Sequence, residues 1–186
     1  MEKEIQEFIE QGRKEYREKI FFIEQGLGAE VHWFFTQAVQ ALKNELYLPA
    51  CTSFLNGIEA SLRVTMSQVE NPARVEELEP HKTLSNRLLK SASDVGLPVS
   101  ALAFPGEDRF LEKLESKRPN QINAEVVRIR HNLCHGNILE YVNTELEENN
   151  VFFTPECCRE LAHQLYNVSK VWAKQLGEFR RELLNA

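Results

Sequence analysis

Residues 126 to 137 read Val-Val-Arg-Ile-Arg-His-Asn-Leu-Cys-His-Gly-Asn. Only in this stretch do several side chains able to do chemistry fall within about two helical turns. Apolar residues recur between them at spacings of three and four, which predicts an amphipathic helix. Asn120 or Asn123 is a suitable N-cap for this helix, and Gly136-Asn137 is a suitable end because a left-handed residue is easily formed there.

One face of the predicted helix is polar, and it carries Arg128, His131, Asn132 and His135. The opposite side is apolar, with Ile122, Val126, Ile129 and Leu133.

Arg130 falls beside the apolar side, so we expect it to pair with an acid, reach solvent or lie at an interface. Glu59 is a candidate partner for a motif arginine, and an ordinary surface position is the equal alternative. Cys134 points away from the polar face and is predicted to be buried.

Three interpretations of the polar face are open. It is a solvated surface, or His131 and His135 begin a zinc site, or the face cleaves phosphodiesters without metal. The zinc interpretation is the weakest, because no Glu stands where a helical zinc hydrolase keeps its base and no Cys-x-x-Cys adds ligands. The third needs few groups: RNA carries its own 2′-hydroxyl nucleophile, histidine moves protons near neutral pH, and arginine holds phosphate through two donors.

The run Arg130-His131-Asn132-Leu133-Cys134-His135-Gly136 resembles the signature of the HEPN superfamily (higher eukaryotes and prokaryotes nucleotide-binding). That signature is an arginine, usually a polar residue next, four to six intervening residues and a histidine. Arg130 to His135 matches with four intervening residues, and Arg128 to His135 would match with six. The resemblance covers about residues 29–184 in architecture but is specific only over the motif. Residues 57–62 and 82–84 also look similar to the helices that precede the motif in this family.

The resemblance implies an all-α bundle that forms a homodimer, with the two motif helices facing across a cleft. It implies a metal-independent endoribonuclease without cofactors, in a toxin–antitoxin, phage-defence or RNA-processing system, with an antitoxin or other cognate regulator as a partner. Arg130 and His135 would be catalytic, with His131, Asn132 and Arg128 as supporting substrate-binding groups.

Since a spacing of five residues separates two side chains by roughly 140° on a helix, Arg130 and His135 can meet only if the helix end unwinds or a dimer completes the site. The alternative is a non-catalytic dimerisation or partner-binding module of the same fold.

Composition limits the choices further. The 186 residues carry a formal charge of −6, so any contact with nucleic acid must be local rather than due to a basic overall field. With four cysteines, no Cys-x-x-Cys and no secretory signal, reduced thiols in the cytoplasm are expected. Apolar runs such as residues 20–23 are far shorter than the roughly 20 residues that cross a bilayer, which predicts a soluble protein without a membrane partner.

The remaining pattern predicts one domain over residues 1–186, with about five to seven helices. Residues 1–27 form an amphipathic N-terminal helix whose charged first turns project from a core bundle at 28–184. A second helix at 29–46 buries Phe34 and Phe35, and Trp33 and Trp172 are predicted core residues. A third runs from Pro49 to about Glu70, where small residues such as Gly57 indicate close helix packing. Further helices are predicted at 80–95 and 108–116, with a last one from Thr154-Pro155 to about Leu184. Residues 138–153 are predicted to form a small β-hairpin or ordered loop, with an extension of the motif helix as the alternative.

Overall fold

The computed structural model describes residues 2–28, 30–73, 75–79, 81–143 and 152–185. These ranges contain α1 (Glu2–Glu24), α2 (His32–Lys43), α3 (Tyr47–Glu70), α4 (Asn86–Asp94), α5 (Phe110–Glu115), α6 (Glu125–Cys134) and α7 (Arg159–Asn185). Short 3-10 turns lie at Val99–Leu102, Leu139–Tyr141 and Pro155–Cys158. The predicted all-α bundle is confirmed, and no helix in these ranges is long and apolar enough to span a membrane.

The core is organised around α3, which packs against α2 and α7. Phe35 of α2 is fully buried and stacks on Phe22 of α1, with ring centroids 4.8 Å apart. On its other side the Phe35 ring approaches α3 at Gly57, where a Cβ atom would lie 2.8 Å from the ring. The prediction of close packing along the small residues of α3 is confirmed at this position.

The two tryptophans have opposite environments. Trp172 of α7 is completely buried, and its indole N–H donates to the hydroxyl of Ser61 on α3 over 2.8 Å. Trp33 is 52% exposed and Phe34 is also exposed, so their predicted burial is wrong. The buried stripe of α2 starts at Phe35, and the two preceding residues lie about 100° and 200° around the helix from it.

Helix α1 projects from the bundle, as its charged first turns predict. Its 23 residues extend about 34 Å, whereas the 12 residues of α2 beside it extend about 18 Å. Apolar residues between positions 5 and 16 are therefore left exposed, namely Ile5, Phe8, Ile9 and Tyr16. Towards its C-terminal end α1 joins the core through Phe22.

Two further predictions need correction. Helix α4 begins at Asn86 rather than near residue 80, because the Ser85 hydroxyl accepts from the Leu88 N–H over 3.2 Å and caps the helix there.

The motif helix does not extend past Cys134. After it come the 3-10 turn Leu139–Tyr141 and one isolated antiparallel bridge between Asn143 and Phe152. No strand is present in the described part of the chain, and residues 144–151 of the predicted hairpin lie outside it.

The contact between Gly57 and Phe35 makes a testable prediction. We expect Gly57→Ala to lower the free energy of unfolding by ~1–3 kcal/mol, because an extra methyl overpacks a buried contact. Urea unfolding followed by circular dichroism measures the change. Gly12→Ala is the matched control: Gly12 is also helical, but nothing lies within 4 Å of its Cβ position. That control should leave stability unchanged or raise it by up to ~1 kcal/mol; equal effects of the two substitutions would contradict the close approach.

Candidate functional site

The start of α6 is held by side chains from other segments. Ala124 occupies the N-cap position and no capping side chain of the helix itself is present, so the prediction of Asn120 or Asn123 as N-cap is wrong. Instead, the Glu125 N–H donates over 2.8 Å to the carboxylate of Glu107, which also pairs with Lys113 at 2.8 Å. The Glu107 side chain is only 3% exposed. A buried carboxylate at a helix N-terminus both accepts an unpaired N–H and complements the helix dipole.

Asn86 of α4 fixes the segment that leads into α6. It is 2% exposed, and its amide nitrogen donates to the carbonyls of Lys113 and Ile122, both over 2.8 Å. Its amide oxygen accepts from the Ala124 N–H over 3.0 Å. A single buried side chain thus ties together α4, the end of α5 and the first residue before α6.

The C-terminal end of α6 is closed by a left-handed glycine, as predicted. Gly136 has φ +72°, its N–H donates to the Leu133 carbonyl, and the Asn137 N–H donates to the Asn132 carbonyl over 2.8 Å. These two bonds define a Schellman motif. His135 is the residue at which the helix ends, and its imidazole is therefore presented at the rim of the helix.

The buried and exposed sides of α6 follow the sequence pattern with two exceptions. Val126, Ile129 and Leu133 are buried as predicted. Ile122 is exposed because it lies before the helix begins, and Cys134 is exposed as well, so both predictions are wrong. Cys134 lies in the last turn, about 100° around the helix from Leu133 and away from the core.

Arg130 pairs with Glu59 of α3 across the bundle. Oε2 of Glu59 lies 3.3 Å from Nε of Arg130, and the same oxygen accepts the Leu84 N–H over 2.7 Å. The other oxygen lies 3.7 Å from Arg63. Glu59 is therefore the ion-pair partner of a motif arginine rather than an ordinary surface residue. The Nε–H of Arg130 is nevertheless not aligned with the carboxylate and has no acceptor in the described chain.

Arg128 is held between two carboxylates. Its Nε and Nη2 donate to Glu125 over 2.9 and 2.6 Å, and its Nη1 donates to Glu140. The pKa of Arg128 is raised above its ordinary value, chiefly by the hydrogen bonds to Glu125. Partial burial would raise the pKa of Glu140, but hydrogen bonds, including those from Asn132 and Arg128, outweigh it and the pKa is lowered. Glu140 is therefore ionised at neutral pH, and the pair is lost only when the pH falls below the usual range of a glutamate.

His131 and His135 lie together on the solvent side. Both are exposed, and their ring centroids are 4.5 Å apart with an angle of 54° between the planes. The two rings lie on the same side, as their i, i+4 spacing predicts, although the helix ends at His135. Two adjacent imidazoles offer one group to accept a proton and one to donate it, which is what general acid–base chemistry requires.

The predicted site residues thus form three contacts rather than one cluster. In the described chain Arg130 pairs with Glu59, Arg128 and Asn132 meet at Glu140, and His135 contacts His131. No hydrogen bond, ion pair or ring contact within these ranges joins Arg130 to His135. This agrees with the expectation that the side chains of Arg130 and His135 do not meet on one continuous helix.

Within the described ranges, no group of three or more His, Cys, Asp or Glu side chains is arranged to hold a metal ion. All four cysteines are free thiols, and burial raises the pKa of Cys51 to about 12. No protein-family model, curated protein or solved structure matches this chain.

Sequence reasoning missed four residues that build this site. Glu125 was detectable, because an acid three residues before Arg128 on a helix is a standard pairing distance. Asn86, Glu107 and Glu140 gave no such signal, since each reaches α6 from another segment.

The role of Asn86 leads to a second prediction. We expect Asn86→Ala to lower the free energy of unfolding by ~1–3 kcal/mol, because it leaves the buried Ala124 N–H without its acceptor. The carbonyls of Lys113 and Ile122 lose one donor each but keep the Ser116 hydroxyl as a partner. Urea unfolding measures the loss of stability. Asn56→Ala is the control, since Asn56 is an exposed residue inside α3 and alanine favours the helix. A loss no larger than that of the control would show that α6 is positioned without Asn86.

Proposed function

We propose that this chain is a metal-independent endoribonuclease of the HEPN type that acts as a homodimer. The observation that carries the proposal is the pair of exposed imidazoles of His131 and His135 at the end of α6, next to the turn that holds Arg130. The motif resemblance and the all-α bundle agree with it. The toxin–antitoxin, defence or RNA-processing setting and a cognate regulator belong to the same proposal.

The chemistry is a transesterification within RNA. His135 acts as the general acid/base: it takes the proton of the 2′-hydroxyl and then gives a proton to the departing 5′-oxygen. The 2′-oxygen forms a bond to the adjacent phosphorus, the bond from phosphorus to the 5′-oxygen breaks, and that oxygen leaves as a hydroxyl. One product ends in a 2′,3′-cyclic phosphate and the other begins with a 5′-hydroxyl.

Arg130 binds the phosphate and stabilises the negative charge that grows on it. Glu59 faces the buried Nε of Arg130, so the phosphate would bind at Nη1 and Nη2, at the other end of the guanidinium. The second chain of the dimer would bring its own motif helix to the cleft, so that the arginine of one chain and the histidine of the other act on one phosphate. His131, Asn132 and Arg128 support the substrate.

The alternative function is a non-catalytic dimerisation or partner-binding module. Two observations favour it: both motif arginines already have carboxylate partners, and the first half of α1 has an uncovered apolar face. In that case the polar face of α6 would contact a protein rather than RNA.

RNA cleavage in EDTA separates the two functions. We expect wild-type protein to cut a mixed RNA pool and to leave cyclic phosphate ends, and His135→Ala to reduce the rate by roughly 10²–10⁴-fold because the proton-transfer group is lost. Arg130→Ala should reduce it by roughly 10²–10³-fold through lost charge stabilisation. His163→Ala, at an exposed histidine of α7, is the matched control and should cleave as wild type does.

Each variant is first compared with wild type by urea unfolding and size-exclusion chromatography. Arg130→Lys retains a positive charge opposite Glu59 and tests whether a loss in Arg130→Ala reflects the missing fork of donors or a broken ion pair. No cleavage by the wild type, or full cleavage by both alanine variants, would refute the ribonuclease proposal.

A further inference from the structure

Glu140 occupies a place on the polar face of α6 that an external anion would fit. It lies in the 3-10 turn Leu139–Tyr141 that follows α6, and its carboxylate reaches back over the helix. One carboxylate oxygen accepts from Nη1 of Arg128, and the other accepts from the side-chain amide of Asn132 over 3.0 Å. The carboxylate thus bridges two donors that lie one turn apart.

Both donors are oriented by groups other than Glu140. Glu125 binds Nε and Nη2 of Arg128, which leaves Nη1 directed at Glu140. The Asn132 amide oxygen accepts from the side chain of Asn137 over 3.4 Å, which leaves its NH₂ group directed at the same carboxylate. A guanidinium edge beside an amide N–H binds phosphate oxygens as well as carboxylate oxygens.

The contact is accessible to a ligand. The side chain of Arg128 is 39% exposed and that of Glu140 is 29% exposed. Ion pairs at such partly solvated positions contribute little net stability, so an external anion can compete for them. In the described part of the chain, the charged side chains of this contact are one guanidinium and two carboxylates. This local negative charge disfavours a second anion while Glu140 remains in place.

We propose that Arg128 and Asn132 form a binding site for a backbone phosphate of single-stranded nucleic acid, and that Glu140 occupies this site in the free protein as an internal competitor. The proposal rests on the proposed function only in its choice of anion. Phosphate and the Glu140 carboxylate use the same two donors, so one must leave before the other binds. Glu140 therefore determines the fraction of protein molecules that can bind a nucleic-acid strand at this site.

The test is the affinity for a short, fluorescently labelled, single-stranded DNA oligonucleotide. DNA lacks the 2′-hydroxyl and cannot be cleaved by the proposed reaction, so binding is read separately from catalysis. We expect Glu140→Gln to bind about fivefold more tightly than wild type, the factor that corresponds to removing one partly exposed ionic competitor. The gain should shrink as salt is raised.

Three variants make the result specific. Glu178→Gln removes the same charge at an exposed position of α7 and should leave the affinity close to that of wild type. Arg128→Gln combined with Glu140→Gln should abolish the gain. Glu140→Asp keeps the charge but shortens the side chain, so it should give a smaller gain in affinity than Glu140→Gln. It serves as the test if Glu140→Gln proves unstable in urea unfolding.

An affinity of Glu140→Gln equal to that of wild type or of Glu178→Gln overturns the proposal. So does a gain that survives loss of Arg128, or an absence of measurable binding by every variant. Tighter DNA binding without any RNA cleavage would support the Glu140 site while refuting the ribonuclease. Cleavage with no change in DNA affinity would do the reverse.

Discussion

The position of α6 depends on a buried amide that belongs to a different helix. Asn86 satisfies two carbonyls and one N–H of the segments around the start of α6. The Ala124 N–H is buried, has lost its contact with water and needs a partner within the protein. An asparagine has both a donor group and an acceptor and can serve all three at once. With the start of α6 fixed in this way, its helical rotation is fixed too, and so is the set of side chains that faces solvent at its other end.

Periodicity in the sequence was sufficient for the helices and for the glycine that ends α6. It predicted the burial of Val126, Ile129 and Leu133, because their alternation with polar residues is a local property. It failed for Trp33, which lines an open groove between α1 and α2 and stays exposed, and for the start of α6, where the cap comes from Glu107. Tertiary contacts decide such positions, and one sequence contains no local trace of them.

The same limit applies to the candidate site. The cluster of arginines and histidines was visible from their spacing, and Glu59 was one of two options for pairing with an arginine. Glu140 was not foreseeable, because a 3-10 turn after the helix returns it to Arg128. As a result the site is less basic than the motif alone indicates: each arginine has an acid beside it. Such a site attracts RNA weakly at long range, and binding would depend on contacts made at close range with donors already held in place.

The contrast between the two tryptophans gives the protein two separate optical reporters. Trp172 is sealed in the core against α3, so its emission changes only when the bundle itself opens. Trp33 lines a groove of about 820 Å³ between α1 and α2, together with Tyr16. An apolar surface that covers this groove would move the Trp33 indole out of water and shift its emission to the blue, while the Trp172 signal stays constant. Intrinsic fluorescence can therefore distinguish association at the α1–α2 surface from unfolding in one sample without an added label.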